Sequence, residues 1–370
     1  MRAVLLLLLV AVTHANIDHF AKCVADSEHA CAVSIGKQVS DVLRAGVLRA
    51  AQPLLKYVAT PSGSAVYQRL WDASAKALPE IAMQIDGFAS GASLDRHTAR
   101  VAALAAEISH FAVRDGSVHI PVNLTSKSCS DYHSLGGGAS AGEPLLRAWV
   151  HNEDGTAIDG VESFLTDMSV AGVRRLGFSY ASNAGLAGWA WSVNSHGIAQ
   201  SVNALNPYNL SDDGIAIAML ARHVAGSTSL DDAVNRTCGL QLASGAHFNL
   251  GSIHEPERQL MIEASNVGCD VRTLSAPSSS SHAPSRRAAG AAGSAADFTI
   301  GFHANLYESA RLRGIDGGAS AKGIDAPSSV HRMARMGALP PAQTTRALEA
   351  VVSDTHDAQY PIHRDAHLPE

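Results

Sequence analysis

The sequence predicts an α+β fold of stacked layers with sheets inside. Three observations carry that prediction. Apolar positions near a 3.6-residue period dominate residues 16–115. Short apolar or aromatic runs broken by turn residues begin near residue 145. Helical and strand-like textures then alternate to the C-terminus. Of the 370 residues, 46% are apolar, enough for a sizeable core, and 17% are charged. With 28 basic and 34 acidic side chains the net charge is −6, which gives no footprint for nucleic acid.

Residues 1–15 read as an export signal. Arg2 supplies the positive start, Val4 to Val12 are unbroken apolar, and Thr13-His14-Ala15 places small residues before a cut. That apolar run is too short to cross a bilayer, which takes about twenty residues, and no other segment is long and apolar enough. Sequons at Asn123, Asn209 and Asn235 agree with export and are the candidate glycosylation sites. The last residues, His367 to Glu370, match neither the retention nor the peroxisomal address. The expectation is a secretory-route protein without stable membrane insertion, either released or held in a lysosome- or vacuole-like lumen.

In that oxidising setting five cysteines are an odd number. If Cys23, Cys31, Cys238 and Cys269 pair, in one of three connectivities, Cys129 remains as a free thiol. An unpaired thiol in an exported chain is either accidental or a nucleophile.

In the helical first region, Val42, Leu43, Val47, Leu48, Leu54 and Leu55 keep the period, as do Val101, Leu104, Ile108 and Phe111. Strands are predicted at 145–150, 176–181, 186–193 and 198–205, helices at 214–224 and 230–238, then strands around 247–250 and 259–264. Residues 275–296 are Ser/Ala/Gly/Pro-rich without a period, a flexible insertion. Helical signals close the chain at 328–336 and 342–352. No internal repeat is visible.

Gly138-Ala139-Ser140-Ala141-Gly142 matches a nucleophile elbow, which works only on a sharp strand-to-helix turn. Ser134 to Gly137 before it do not read as a strand, and Glu143-Pro144 stand where a helix should run, so a glycine-rich surface loop is the better reading. His151 and Glu153 share a strand face and could begin a metal site, but a third ligand at matching spacing is missing, so no metal is expected. Asn194 to Gly197 read as a hairpin turn, Ser328 as a helix cap, and Asn249 as an ordinary strand amide.

The order of these segments is more specific than any one of them. Cys129-Ser130-Asp131-Tyr132, Arg147 to Gly155, Trp191 to Gly197, Ala243 to Asn249, Phe302 to Tyr307 and Ser328 to Arg332 follow one another. Over roughly residues 40–365 this order resembles the acyl-coenzyme A:6-aminopenicillanic-acid acyltransferase (isopenicillin N acyltransferase) family, which also includes insect β-alanyl-amine hydrolases. The resemblance implies an N-terminal-nucleophile cysteine hydrolase with a four-layer αββα sandwich and no cofactor. It also implies self-cleavage between Ser128 and Cys129, dividing the chain into a helical segment 16–128 and a catalytic domain 129–370 that stay associated. A homo-oligomer is left open.

By the same resemblance Cys129 is the nucleophile and its freed α-amine the base. Asp154 would orient that amine, Asn249 would donate to the oxyanion, and Asn194 would be a second polar contact there. Arg332 would favour the anionic forms. His151, standing where choloylglycine hydrolases carry Arg, together with Asn152 and His331, would contact substrate. Ser128 stands where relatives commonly have Gly, and the run from Cys129 to Asp154 is stretched by the glycine-rich residues 136–142. The expected activity is hydrolysis or acyl transfer on a small N-acyl or β-alanyl amide through a thioester acyl-enzyme. The rivals are a catalytically inactive secreted glycoprotein that binds through the same fold, and a serine hydrolase using Ser140.

Overall fold

The computed structural model describes residues 8–11, 19–116, 128–136, 146–154, 163–276, 298–315 and 326–362. Two sheets lie face to face between helical layers. The smaller is built from β1 (Leu8–Ala11), β3 (Ser128–Gly136), β4 (Leu146–Asp154) and β12 (Phe298–His303), in the order β1-β4-β3-β12. The larger takes β2 (Phe20–Ala25), β5 (Ser163–Val170), β6 (Val173–Tyr180), β7 (Ala187–Asn194), β8 (Ile198–Leu205), β9 (Gly245–Ser252), β10 (Arg258–Ser265) and β11 (Gly268–Ser275). Its order is β11-β10-β9-β8-β7-β6-β5-β2. Pairing is antiparallel except for β1 with β4 and β2 with β5. β1 lies inside the predicted export signal, so removal of residues 1–15 would leave a three-stranded sheet.

The outer face of the large sheet is covered by α1 (Glu28–Gln38), α2 (Ser40–Val58), α3 (Pro61–Ala77), α4 (Pro79–Gly91), α5 (Arg96–Ala103), α6 (Ala105–Arg114), α7 (Ile217–Val224) and α8 (Leu230–Cys238). Their apolar faces share one core with Phe164, Phe178, Val202, Phe248 and Ile262 of the sheet. α9 (Ala326–Ala338) and α10 (Thr345–Val352) cover the small sheet, packing Met336, Leu348 and Val351 on Tyr132, Ala148 and Val150. The result is a four-layer αββα arrangement. It is the predicted α+β class with sheets inside.

Alternation decides what each strand of the small sheet shows to each layer. Ala148 and Val150 meet the helices, so Trp149, His151 and Glu153 point to the large sheet. On β3, Tyr132 goes to the helices, while Cys129, Asp131, His133 and Leu135 point inward. The inward layer is polar: Trp149 Nε1 donates to Ser201 Oγ across the sheets (3.0 Å), and His133 bonds Gln259 and Asn249.

Several local expectations change. Phe20–Ala25 is a strand rather than part of the helical region, because it completes the sheet edge beside β5. Ser134 to Gly136, expected outside a strand, continue β3, since both faces there are covered and Ser134 Oγ donates to Ala342 O (2.6 Å). Residues 137–145, with Ser140, lie outside the described residues, as does most of the 275–296 insertion. Ser328 is not a cap: α9 begins at Ala326, and the Ser328 hydroxyl accepts from Arg332 Nε. The turn at Asn194 to Gly197 is as expected, with Gly197 at φ +75°, a left-handed conformation that glycine adopts without strain.

Cys23–Cys31 and Cys238–Cys269 are disulfides, which leaves Cys129 as the free thiol. Two disulfides fit an extracellular or secretory-pathway protein. No described helix is long and apolar enough to cross a membrane.

Candidate active site

The register of β3 on β4 sets Cys129 opposite Glu153 and Asp131 opposite His151. All four point inward, so two adjacent strands place a thiol, two carboxyl groups and an imidazole on one buried surface. The Cys129 thiol donates to Glu153 Oε2 at 3.3 Å. His151 Nε2 lies 3.0 Å from the same oxygen, and Tyr180 OH donates to Glu153 Oε1 at 2.9 Å. His151 Nδ1 lies 3.0 Å from both Asp131 oxygens. Ser201 Oγ donates to Asp131 Oδ1 at 2.6 Å and receives the Trp149 indole N–H.

Charge follows from these contacts. Burial pulls the His151 ring toward its neutral form. The adjacent Asp131 charge and hydrogen bonds with Asp131, Cys129 and Glu153 outweigh it, holding the ring well above the ordinary histidine range. Burial pushes Asp131 up, but the His151 charge and the hydrogen bonds from His151 and Ser201 hold it below the usual carboxylate range. A cationic imidazole against a thiol favours the thiolate.

A second set of contacts grips the Cys129 backbone. Its N–H donates to Asn305 Oδ1 at 2.9 Å. Arg332, fully buried on α9, donates from Nη1 to the Cys129 carbonyl (2.5 Å) and Ser130 Oγ (2.6 Å). From Nη2 it donates to Asn305 Oδ1 (3.0 Å) and Ser329 Oγ (3.1 Å). Asn305 is held in turn by Nδ2 donating to Ala204 O and by its backbone N–H on Ser329 Oγ. The peptide group that follows the proposed cut is thus fixed on both its amide and carbonyl sides.

The structure brings together Cys129, His151 and Arg332 from the predicted set. Asn249 is buried one layer across, accepting from His133 at Oδ1 and donating to Ser201 Oγ and Asn203 Oδ1. Both its N–H groups already have acceptors. Asn194 is the brace of its turn: Nδ2 donates to Ala225 O and Ser227 O, and Oδ1 accepts from His196 and Ile198 N–H. Asn152 faces the opposite way from His151 and Glu153, as strand alternation demands, and donates to Ile362 O. His331 is half exposed and pairs with Asp357 at 2.7 Å. The side chains of Ser128 and Asp154 lie outside the described residues, though their backbones pair with each other.

Of the sequons, Asn209 and Asn235 are exposed, and Asn123 lies outside the described residues. Glu153, Asp131, Asn305, Tyr180 and Ser201 are the contributors that sequence reasoning did not assign. Glu153 carried a signal in its shared face with His151, and Asp131 and Asn305 lie within the ordered segments Cys129 to Tyr132 and Phe302 to Tyr307.

Residues 143–370 match the acyl-coenzyme A:6-aminopenicillanic acid acyl-transferase family. The matched span begins after Cys129, so its place in the site rests on the geometry above. Among solved structures, the chain is similar to penicillin V acylase from Agrobacterium tumefaciens, at 13% identity and a TM-score of 0.24. That likeness covers 61% of this chain and 63% of the acylase. No curated protein matches the chain.

Proposed function

The chain belongs to the acyl-coenzyme A:6-aminopenicillanic acid acyl-transferase family, and from that premise we propose that it is an autoprocessed cysteine amidohydrolase or acyltransferase. Its substrate would be a small N-acyl or β-alanyl amide. The observation that carries this reading is the buried Cys129, with its thiol on Glu153 and its peptide group held by Asn305 and Arg332.

In the precursor, Cys129 Sγ attacks the Ser128 carbonyl carbon. A carbon–sulfur bond forms, the Ser128–Cys129 C–N bond breaks, and the thiol proton passes by way of Glu153 to the departing amine. Water then cleaves the resulting thioester, leaving residues up to 128 as an acid and Cys129 with a free α-amine. A thiol of ordinary pKa near 8.5 is mostly protonated at neutral pH and needs such an acceptor.

In the mature enzyme the α-amine, with an ordinary pKa near 7.7–8, accepts the thiol proton and returns it to the leaving amine. The acyl group rests on sulfur as a thioester before passing to water or an acceptor amine. His151, cationic beside Asp131, supplies the positive charge that Arg provides in the choloylglycine hydrolases. For Asn249 to stabilise an oxyanion it must release Ser201 or Asn203. Export, if residues 1–15 direct it, takes the enzyme where coenzyme A thioesters are scarce, which favours hydrolysis over transfer.

The test is a panel of N-acyl and β-alanyl amides given to the purified protein, with rapid acid quenching and mass spectrometry. The expected result is a transient mass gain equal to the acyl group on the Cys129 peptide, and no turnover in Cys129→Ala. Turnover that persists in Cys129→Ala but vanishes in Ser140→Ala would overturn the reading.

A further inference from the structure

We propose that Cys129, His151 and Glu153 form a site for a zinc-type divalent cation, and that its occupancy holds the Cys129 sulfur out of acyl chemistry. The second half rests on the nucleophile reading above; the binding itself does not. The sequence places His151 and Glu153 on one face and lacks a third ligand. The strand register supplies it, because Cys129 is the cross-strand partner of Glu153. The three candidate ligand atoms lie within 4.8 Å of one another, and all three residues are buried.

The spacing suits a tetrahedral ion. With zinc–sulfur near 2.3 Å and zinc–nitrogen or –oxygen near 2.0–2.2 Å, adjacent ligand atoms should be about 3.3–3.6 Å apart. Here Sγ to Glu153 Oε2 is 3.3 Å and His151 Nε2 to the same oxygen is 3.0 Å. Both pairs are within a few tenths of an ångström of the tetrahedral distances, and Sγ and Nε2 lie within 4.8 Å of each other. A thiolate, an imidazole and one carboxylate select a borderline-soft ion over magnesium or calcium, which take oxygen ligands.

The supporting residues suit a metal as well. Asp131 binds His151 at Nδ1, which leaves Nε2 as the ligand atom in a carboxylate–histidine–metal arrangement. Tyr180 binds Glu153 at Oε1, which leaves Oε2 for the ion. On binding, the S–H bond breaks, a metal–sulfur bond forms, and the thiol proton goes to solvent. The imidazole likewise gives up any Nε2 proton and keeps Nδ1–H on Asp131.

The test uses the full-length protein and cobalt(II) as a spectroscopic stand-in. The expected result is a sulfur-to-cobalt charge-transfer band that saturates at one ion per chain and is displaced by zinc. Asp131→Asn should weaken binding by about 10–100-fold. Because the other four cysteines are in disulfides, alkylation by iodoacetamide reports Cys129 alone. Zinc should slow that alkylation in the wild-type protein and a chelator should restore it, a readout that needs no variant to fold. Absence of the band, or alkylation indifferent to zinc, overturns the proposal. A chain that cuts itself but gives no band sinks the metal site and spares the function. A chain that gives the band but never cuts itself upholds the site and sinks the processing.

Discussion

Cys129 and Glu153 are directly paired across β3 and β4, and the Cys129 thiol donates to Glu153 Oε2 at 3.3 Å between the two sheets. The carboxyl group cannot swing freely, because Tyr180 holds Oε1 and His151 touches Oε2. A proton acceptor fixed against a buried thiol is what the proposed self-cleavage needs, since before that cut no α-amine would exist at Cys129.

Glu153→Gln keeps the size of the side chain and removes the acceptor. The expected effect is a slowing of self-cleavage by about 10²–10⁴-fold, the usual range for a general base. Time-resolved gels of freshly folded protein measure it, with circular dichroism as the check on folding. Wild-type cleavage rates in this variant would remove Glu153 from the chemistry.

Arg332 serves the fold and the site through one planar fork. Removing it by Arg332→Met leaves the Cys129 carbonyl, Ser130 Oγ and Asn305 Oδ1 buried without this donor. Each hydrogen bond lost from a charged donor is worth about 1.5–3 kcal/mol, so a loss of several kcal/mol in urea unfolding is expected. Arg332→Lys should recover only part, because an ammonium cannot span the same acceptors in one plane.

Glu107 gives the protein a pH dependence unrelated to the thiol. It is fully buried, accepts the Ile217 N–H at 2.9 Å at the start of α7, and has no partner for Oε2 among the described residues. Burial pushes its pKa up to about 7. The folded state therefore keeps this proton above the pH, near 4.3, at which the unfolded chain loses it. The resulting stability is complete below that pH and is lost as pH rises through about 7, at most about 3–4 kcal/mol. Glu107→Gln should flatten this part of the stability profile, read from urea midpoints at pH 5 and pH 8. An unchanged slope would contradict the assignment.

The two disulfides should differ in worth. Cys238–Cys269 closes a 31-residue separation and Cys23–Cys31 only 8. Loop-closure entropy gives about 3–4 kcal/mol for the longer and about 2–3 kcal/mol for the shorter. Paired Cys→Ala variants compared by chemical denaturation check the order. A larger loss from the shorter loop would show that chain entropy does not set it.

Features with local causes are legible in the sequence. Ile198–Leu205 and Leu230–Cys238 are found at their observed bounds, the latter because Ser229 caps it by accepting from Asp232 N–H. Phe20–Ala25 is not legible as a strand, because its partner, Ser163–Val170, is distant in the chain. The site divides in the same way. Cys129 follows from the odd cysteine count and Arg332 from the order of motifs. Glu153 needs the β3–β4 register, and Asn305 needs the packing of α9 against the strand that carries Cys129. Asn194 and Asn249 show the reverse, since the residue types suit an oxyanion while the fold gives their amides other partners.

Amino-terminal sequencing of purified protein with measured amide turnover bears most directly on the processing that the proposed chemistry requires. Two amino termini are expected, one of them reading Cys-Ser-Asp-Tyr, with turnover rising as that terminus appears. Full turnover from a population with an intact Ser128–Cys129 bond would contradict the account.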